Sequence, residues 1–198
     1  MIGRSNIRLA RSAVRYRSKR QRRIRVLERR RFLSLFAAPL LGWGCDRAEP
    51  PAGLRPEDRF PALELQDLEG GVMHLPVPGF PCLINVWATW CPPCRAEMAG
   101  LERVSQRFAA DGLRVIGVSV DSDLNLVREY LLKVRLSFPV VLDRGGDLVR
   151  SRLGVSAYPY TALVGAGGLI NATWLGEQDW DHPAMQPLLR QLVAGRRA

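Results

Sequence analysis

The feature that most constrains the fold is an almost continuous apolar stretch at residues 82–87 that leads directly into a predicted helix. The stretch reads CLINVW, a pattern typical of a strand whose two faces are both buried in a sheet. A helix is predicted from Pro92 to about Ala110, because proline fits a first helical turn and Asp111-Gly112 follows as a stop signal. A buried strand that runs straight into a helix indicates an α/β sheet.

The same alternation of strand and helix patterns continues through the rest of the chain. Short strands are predicted before the apolar stretch, at 62–66 and 72–75, around a glycine-containing turn. After the first helix the predicted order is a strand at 114–120, a helix at 124–134, a strand at 139–142, a short helix near 147–153, strands at 161–164 and 169–174, and a final helix. That final helix is predicted with Asp181 as its N-cap, Pro183 in its first turn and Gly195 past its end.

The net charge of +10 at first suggests a nucleic-acid-binding protein, but the charge is not spread over the predicted domain. Residues 1–31 hold thirteen of the 29 Lys and Arg residues and one of the 19 acidic residues, a net charge of +12. Residues 32–198 hold the other 16 basic and 18 acidic residues, a net charge of −2. The basicity therefore belongs to a solvated tail, and we expect no nucleic-acid partner.

An apolar run at 32–45 follows the basic tail and resembles the hydrophobic region of an export signal. The run is shorter than the ~20 residues that span a bilayer, and it follows positive charge as signal peptides do. Arg29–Leu33 reads RRRFL, which fits the twin-arginine pattern of two arginines, any residue, Phe and Leu. Ordinary secretion is the alternative. We therefore assign residues 1–44 to a basic tail with a signal-type segment.

Cys45 closes the apolar run and is a candidate site of lipid attachment. A glycine precedes it, as in bacterial lipoproteins, but Leu41 stands four residues before it, where three is usual. The segment 42–44 (GWG) would also suit an ordinary signal peptidase, and a plain free thiol or an uncleaved anchor is a further alternative. A lipid on Cys45 would supply the membrane attachment that the apolar run cannot. The proline-rich segment 45–58 is predicted to be a linker and residues 54–198 a folded domain.

The segment Trp90–Cys94 (WCPPC) lies between the buried strand and the helix, which is a position that favours redox chemistry. Cys91 would face the unpaired backbone N–H groups and the positive end of the helix dipole, which stabilise thiolate over thiol. Such a position lowers the pKa of a cysteine from ~8.5 to ~7 or below, and the thiolate is the species that attacks disulfides. Cys94 follows one helical turn later, within disulfide distance. The two intervening prolines lack N–H donors, so we expect a milder lowering of the pKa than a Gly-Pro pair would allow.

Two other uses of a Cys-x-x-C pair fit this chain less well. A zinc site would need a second pair of ligands, whereas His74 and His182 are scattered along the chain. A structural disulfide that closes so short a loop would restrain the unfolded chain little. We therefore predict a dithiol redox site that uses no metal and no cofactor. Cys82, at the start of the buried strand, is predicted to be an inert buried thiol.

The segments around the cysteine pair resemble a known family. Leu83–Met98 is similar to the active-site segment of TlpA/ResA-type thioredoxin-like proteins. The likeness continues through Val115–Asp121, Phe138–Asp143 and Leu153–Pro159. The resemblance covers roughly residues 55–195. It implies a thioredoxin-like fold, with a central mixed sheet, helices on both faces, extra N-terminal strands and a strand–helix insertion at 114–137.

The resemblance also implies a function and a location. It implies a bacterial thiol–disulfide oxidoreductase on the periplasmic side of the cytoplasmic membrane that reduces particular protein disulfides, often in cytochrome c maturation. Its partners would be protein disulfide substrates and a membrane protein that donates electrons, and we expect a monomer.

Further site residues follow from the resemblance. Pro159 matches a cis-proline beside the cysteine pair, and the backbone at Tyr158 would pair with a substrate strand. Trp90 would form part of the substrate-facing surface. Glu97, one turn after Cys94, matches an acid that could raise the pKa of the cysteines or relay a proton to Cys94. An ordinary exposed helix glutamate is the alternative.

Three positions bear on how far the resemblance extends. Asn85 stands where thioredoxins have a buried Asp, and Asn is the residue that the TlpA/ResA family shows. Ala99 stands where the family often has a helix-kinking proline, so we expect a straighter helix. Tyr160 stands where members specialised in cytochrome maturation frequently have Glu, which weakens assignment to that branch.

Two other functions are alternatives to disulfide reduction. A peroxiredoxin-like peroxidase would need a Pro and a Thr or Ser before the attacking cysteine, whereas Ile84 and Ala88 stand at those places. A copper-binding assembly protein could use the two thiolates as soft ligands for Cu(I), but the sequence has no histidine near the pair.

Overall fold

The structure, a computed structural model, describes residues 53–195, in which seven strands and three α-helices alternate. The strands are β1 (Leu63–Asp67), β2 (Val72–Leu75), β3 (Cys82–Trp87), β4 (Arg114–Ser119), β5 (Val140–Leu142), β6 (Tyr160–Val164) and β7 (Ile170–Leu175). The helices are α1 (Pro92–Phe108), α2 (Leu124–Val134) and α3 (Met185–Ala194). A 3₁₀ turn at Arg144–Gly146 and a π-helical turn at Val149–Leu153 lie between β5 and β6, where one short helix is predicted. The α/β class is confirmed.

The seven described strands form one mixed sheet in the order β2-β1-β5-β4-β3-β6-β7. β3, β4 and β5 run parallel, whereas β6 pairs antiparallel with both β3 and β7. β1 is antiparallel to β2 and β5, which adds the two N-terminal strands to one edge. The antiparallel register places Val86, near the end of β3, opposite Tyr160, the first residue of β6. The end of β3 and the start of β6 therefore meet at one end of the sheet.

β3 is the centre of the hydrophobic core. All six of its residues are buried, so both faces of the sheet are covered at this strand. Trp87 is fully buried within the core. Cys82, at the other end of β3, is a buried free thiol, and burial raises its pKa to about 11. A thiol with so high a pKa is a poor nucleophile, which agrees with the inert role predicted for it.

α1 presents one buried face, which begins at Cys94. The buried positions recur at spacings of three and four residues, the period of an amphipathic helix. They are Cys94, Glu97, Met98, Gly100, Leu101, Val104 and Phe108. The helix runs uninterrupted for 17 residues.

The start of the last helix differs from the prediction. α3 begins at Met185 with Ala184 as its N-cap, so Asp181 does not cap it and Pro183 lies before its first turn. The Asp181 carboxylate instead accepts a hydrogen bond at 2.8 Å from Nε of Arg103 on α1. An ion pair with another element has thus replaced the local capping interaction. Gly195 does end the helix, as predicted.

Several predictions concern residues outside the described range. The twin-arginine pattern at Arg29–Leu33, the lipid-attachment site at Cys45, the tail at 1–44 and most of the linker at 45–58 lie there. Within residues 53–195, no helix has the length and apolar composition that crossing a bilayer requires.

Candidate active site

Cys91 and Cys94 form a disulfide at the first turn of α1. β3 ends at Trp87, and a three-residue turn carries the chain to Cys91, which is the N-cap of the helix. The two Cα atoms are 5.3 Å apart, close to the separation that disulfides prefer. Cys91 keeps 5% of its surface exposed, whereas Cys94 keeps none. Of the two cysteines, only Cys91 thus keeps any accessible surface, which makes it the candidate for attack on an incoming disulfide.

The helix terminus supplies a hydrogen-bond donor to the sulfur of Cys91. The backbone N–H of Cys94 donates to Sγ of Cys91 at 3.3 Å. Pro92 and Pro93 occupy the first two helical positions and have no N–H to add. The mild stabilisation of the Cys91 thiolate expected from the sequence concerns the reduced protein and stays a prediction.

Asp121 fixes the turn that carries the cysteines. Its buried carboxylate accepts hydrogen bonds from the Thr89 backbone N–H at 2.9 Å and from the Thr89 hydroxyl at 2.6 Å. It also accepts one from the Ser119 hydroxyl at 2.8 Å. From the other side, Arg95 donates to the Thr89 carbonyl at 2.7 Å. All polar groups of Thr89 are thus paired, which holds the backbone two residues before Cys91.

The residues predicted to face the substrate lie together at the same end of the sheet. Trp90 is 61% exposed, and its ring meets that of Tyr158 edge-on with 6.1 Å between centroids. The Tyr158–Pro159 peptide bond is cis, the isomer that the resemblance implies. Because Pro159 directly precedes β6, the pairing of β6 with β3 brings it to the end of the sheet where the cysteine turn begins.

Glu97 is buried rather than an exposed helix glutamate, with 3% of its surface accessible. Its Oε1 accepts a hydrogen bond from the side-chain amide of Asn85 at 2.6 Å. Its Oε2 accepts two more, both at 3.1 Å, from the indole N–H of Trp180 and the backbone N–H of Gln178. Glu97 and Cys94 lie one turn apart on the same buried face of α1. The carboxyl group is therefore held close to the redox centre.

Burial raises the pKa of Glu97 above its ordinary value of 4.5. Hydrogen bonds from Gln178, Asn85 and Trp180 act in the opposite direction, and the neighbouring charge of Glu177 adds to the rise. A carboxylate whose pKa lies above its ordinary value accepts a proton more readily than an ordinary glutamate does. The role of Glu97 as a proton relay to Cys94 stays a prediction.

Three of these residues were not predicted from the sequence. Trp180 and Gln178 lie 83 and 81 residues from Glu97, and Asp121 lies 32 residues from Thr89. The one available signal was Asn85, an amide inside an apolar strand, because a buried polar side chain requires a partner.

Other titratable groups do not extend the centre. The thiol of Cys82 donates to the Phe80 carbonyl at 3.4 Å, at the opposite end of β3 from the cysteine turn. Among residues 53–195, no group of three or more His, Cys, Asp or Glu side chains is placed to hold a metal ion.

Known proteins share this sequence and architecture. A family model described as the AhpC/TSA family matches residues 56–173. The chain is 33% identical over 142 residues to a thiol:disulfide interchange protein DsbE of Yersinia pestis, which covers 68% of this chain and 73% of the relative. It is 29% identical over 119 residues to a thiol-disulfide oxidoreductase ResA of Bacillus thuringiensis, which covers 60% of this chain and 68% of the relative.

The likeness extends to three dimensions. The crystal structure of a thiol:disulfide interchange protein DsbE from Chlorobium tepidum superposes with a TM-score of 0.62 at 25% sequence identity. The match covers 72% of this chain and 99% of that one. The relatives therefore share both the thioredoxin-like fold and a name that denotes disulfide chemistry.

Proposed function

The chain belongs to the AhpC/TSA family and is a thiol–disulfide oxidoreductase of the ResA and DsbE type, and from this premise we propose that it reduces particular protein disulfides. The observation that carries the proposal is the Cys91–Cys94 pair, in which Cys91 keeps some accessible surface at a helix N-terminus, Cys94 is fully buried, and the buried Glu97 follows Cys94 by one helical turn. A dithiol with one accessible and one enclosed sulfur suits two-step reduction of a second protein.

The first step is attack by Cys91. In the reduced protein, its thiolate attacks one sulfur of the substrate disulfide, so that a Cys91–substrate bond forms and the substrate disulfide breaks. The second substrate sulfur leaves as a thiolate and takes a proton from solvent. Trp90 and the backbone at Tyr158, beside the cis-proline, would position the substrate strand during this step.

The second step is release by Cys94. Its thiol transfers a proton to the Glu97 carboxylate, and the resulting thiolate attacks Sγ of Cys91. The Cys91–Cys94 disulfide forms and the remaining substrate sulfur departs as a thiolate, which takes up a proton. Two electrons have then passed to the substrate. A membrane protein that donates two electrons and two protons would restore the dithiol.

We place this reaction on the periplasmic side of the cytoplasmic membrane. The twin-arginine pattern at Arg29–Leu33 supports export, and a lipid on Cys45 would retain the domain at the membrane surface. Cytochrome c maturation is the setting that the family resemblance implies, although Tyr160 replaces the Glu frequent in that branch. Mass spectrometry of the mature protein should find an N-terminus at Cys45 with added acyl mass. A mature N-terminus inside 1–31 would contradict the export proposal.

The test of the reaction is insulin reduction by the purified protein with dithiothreitol as electron donor. Cys91→Ser should fall to the uncatalysed rate, and Cys94→Ser should accumulate a mixed disulfide through Cys91 that non-reducing gels reveal. Cys82→Ser is the matched control and should keep full activity, because the Cys82 thiol is buried at the other end of β3. Insulin reduction that survives Cys91→Ser would refute the proposal.

The direction of electron flow has its own measurement. Equilibration with glutathione or dithiothreitol buffers gives the reduction potential of the Cys91–Cys94 couple. The reduction potential of a reductant should lie well below the approximately −180 mV of protein disulfide isomerase. A potential near about −120 mV would indicate an oxidant. Peroxide consumption without insulin reduction would instead support the peroxidase alternative, and tight Cu(I) binding by the reduced protein would support the copper-binding one.

A further inference from the structure

Residues 176–181, which we call the C-terminal strap, connect β7 to the segment before α3 and cross the buried face of α1. The strap meets α1 at several positions along the helix. Gln178 and Trp180 both donate to Oε2 of Glu97 at 3.1 Å, Trp180 packs on Gly100, and Asp181 pairs with Arg103. The strap therefore contacts the cysteine-bearing helix at one side chain that belongs to the redox site.

Trp180 is held firmly at this contact. It is 1% exposed, and its ring meets that of Trp174 edge-on at 5.7 Å between centroids. A Cβ atom on Gly100 would come within 3.2 Å of Cβ of Trp180, so the helix backbone and the indole approach as closely as a glycine allows. A side chain enclosed in this way has little rotamer freedom, and its N–H points to Glu97 in the resting protein.

We propose that Trp180 is a positioning residue for disulfide exchange, whose indole N–H holds the Glu97 carboxylate in the orientation and ionised form that receives the proton of Cys94. The inference rests on the proposed function and adds to it a residue from the far end of the chain. The indole N–H can only donate a hydrogen bond. It therefore stabilises the ionised carboxylate more than it stabilises the uncharged acid.

Groups from two other elements act on the Glu97 carboxylate beside the indole. From the strap, Glu177 carries a like charge that opposes ionisation. From β3, Asn85 donates to Oε1 and to the Thr161 hydroxyl of β6, and both side chains are uncharged. The two cysteines of α1 titrate only when the disulfide is reduced. Trp180 and Gln178 are thus the donors to Oε2, and only that of Trp180 can be removed by a side-chain substitution.

The test is the pH dependence of insulin reduction by Trp180→Phe in the full-length protein. Phenylalanine keeps an aromatic ring and removes the donor. Loss of a hydrogen bond to a charged group should move the acidic limb of the rate profile up by about one pH unit. Trp174→Phe is the matched control, because Trp174 packs against Trp180 without bonding to Glu97, and its acidic limb should match the wild type. Glu97→Gln should remove the part of the limb that belongs to Glu97 and leave the part that belongs to the Cys91 thiolate, and Trp180→Phe should add no shift in that background.

A second measurement requires no variant at position 180. In the oxidised protein, where the thiols do not titrate, the indole N–H resonance of Trp180 should move with the ionisation of Glu97 and become independent of pH in Glu97→Gln. A folded Trp180→Phe protein with an unchanged limb, or an indole resonance that does not respond while Glu97 titrates, would overturn the inference. Either result with Cys91-dependent reduction intact would leave the proposed function standing. Loss of Cys91 dependence would remove both.

Discussion

At the residue scale, the active site depends on a carboxyl group whose surroundings act on it in opposite directions. Burial favours the neutral form of Glu97, whereas three hydrogen-bond donors favour the anion. Burial is the larger effect, so the pKa rises. The donors oppose this rise by stabilising the anion, which is the form that can accept a proton.

The raised pKa of Glu97 predicts how stability depends on pH. The folded protein holds this proton more tightly than the unfolded chain, so unfolding releases it and the free energy of unfolding falls as pH rises from 4.5 through the raised pKa. Glu97→Gln should lose this decline and gain stability relative to the wild type above that window. Guanidinium unfolding of both oxidised proteins at a series of pH values measures the difference. Parallel curves across the series would contradict the prediction.

Asp121 predicts a loss of both stability and activity. Asp121→Ala leaves the N–H and hydroxyl of Thr89 and the hydroxyl of Ser119 without their acceptor, which should cost about 2–3 kcal/mol of unfolding free energy. Because Thr89 precedes Cys91 by two residues, the rate of insulin reduction by the surviving folded protein should fall as well.

A neighbouring aspartate provides the control for this effect. Asp123 caps α2 by accepting from the Asn125 N–H at 2.9 Å and makes no contact with Thr89. Asp123→Ala should cost ~1 kcal/mol and leave the rate of insulin reduction unchanged. Equal losses of activity in the two variants would mean that Asp121 contributes stability alone.

At the element scale, the contact between α1 and the C-terminal strap reverses a general rule. In an exposed helix, replacing Gly by Ala stabilises by about 1 kcal/mol. At Gly100 the new Cβ would lie 3.2 Å from Cβ of Trp180, and overpacking of this kind costs about 1–3 kcal/mol. Gly100→Ala should therefore destabilise the protein in chemical unfolding. Ala99→Gly, on the exposed side of the same turn, should cost ~1 kcal/mol through helix propensity alone. A Gly100→Ala protein that is more stable than the wild type would show that Trp180 moves aside at little cost and that the close contact does not constrain the helix.

Elements whose signals are local could be predicted from the sequence, and those decided by contacts could not. The bounds of β3 and α2 agree with the predictions because an apolar run and a capped amphipathic segment carry their own signals. The predicted start of α3 was wrong because the Asp181 carboxylate accepts a hydrogen bond from Arg103, 78 residues away, and does not cap the helix. The same distinction holds in the site. Cys91 and Cys94 are neighbours in sequence, whereas the partners of Glu97 on the strap are brought together only by the complete sheet.

At the scale of the whole molecule, the charge and the chemistry belong to different parts of the chain. The first 31 residues carry a net charge of +12, while the remaining residues carry −2. The residues that we assign to disulfide exchange lie between Trp90 and Trp180. Removing the basic tail should therefore leave the exchange reaction unaltered.

The start of the folded unit gives the last prediction. Residues 54–60 run beside the hairpin of β6 and β7. The N–H of Glu57 donates to the Ile170 carbonyl at 2.8 Å, the N–H of Phe60 donates to the Gly168 carbonyl at 2.9 Å, and the Phe60 ring is buried. A chain that begins at Asp46 keeps these contacts and should match the longer protein in unfolding free energy and in insulin reduction. A chain that begins at Pro61 loses the ring and both hydrogen bonds, which should cost about 3–5 kcal/mol. Because β6 follows Pro159 and pairs with β3, loosening of this hairpin should also lower activity. Equal stability of the two truncated chains, measured by guanidinium unfolding, would show that the domain begins later than the contacts of Phe60 indicate.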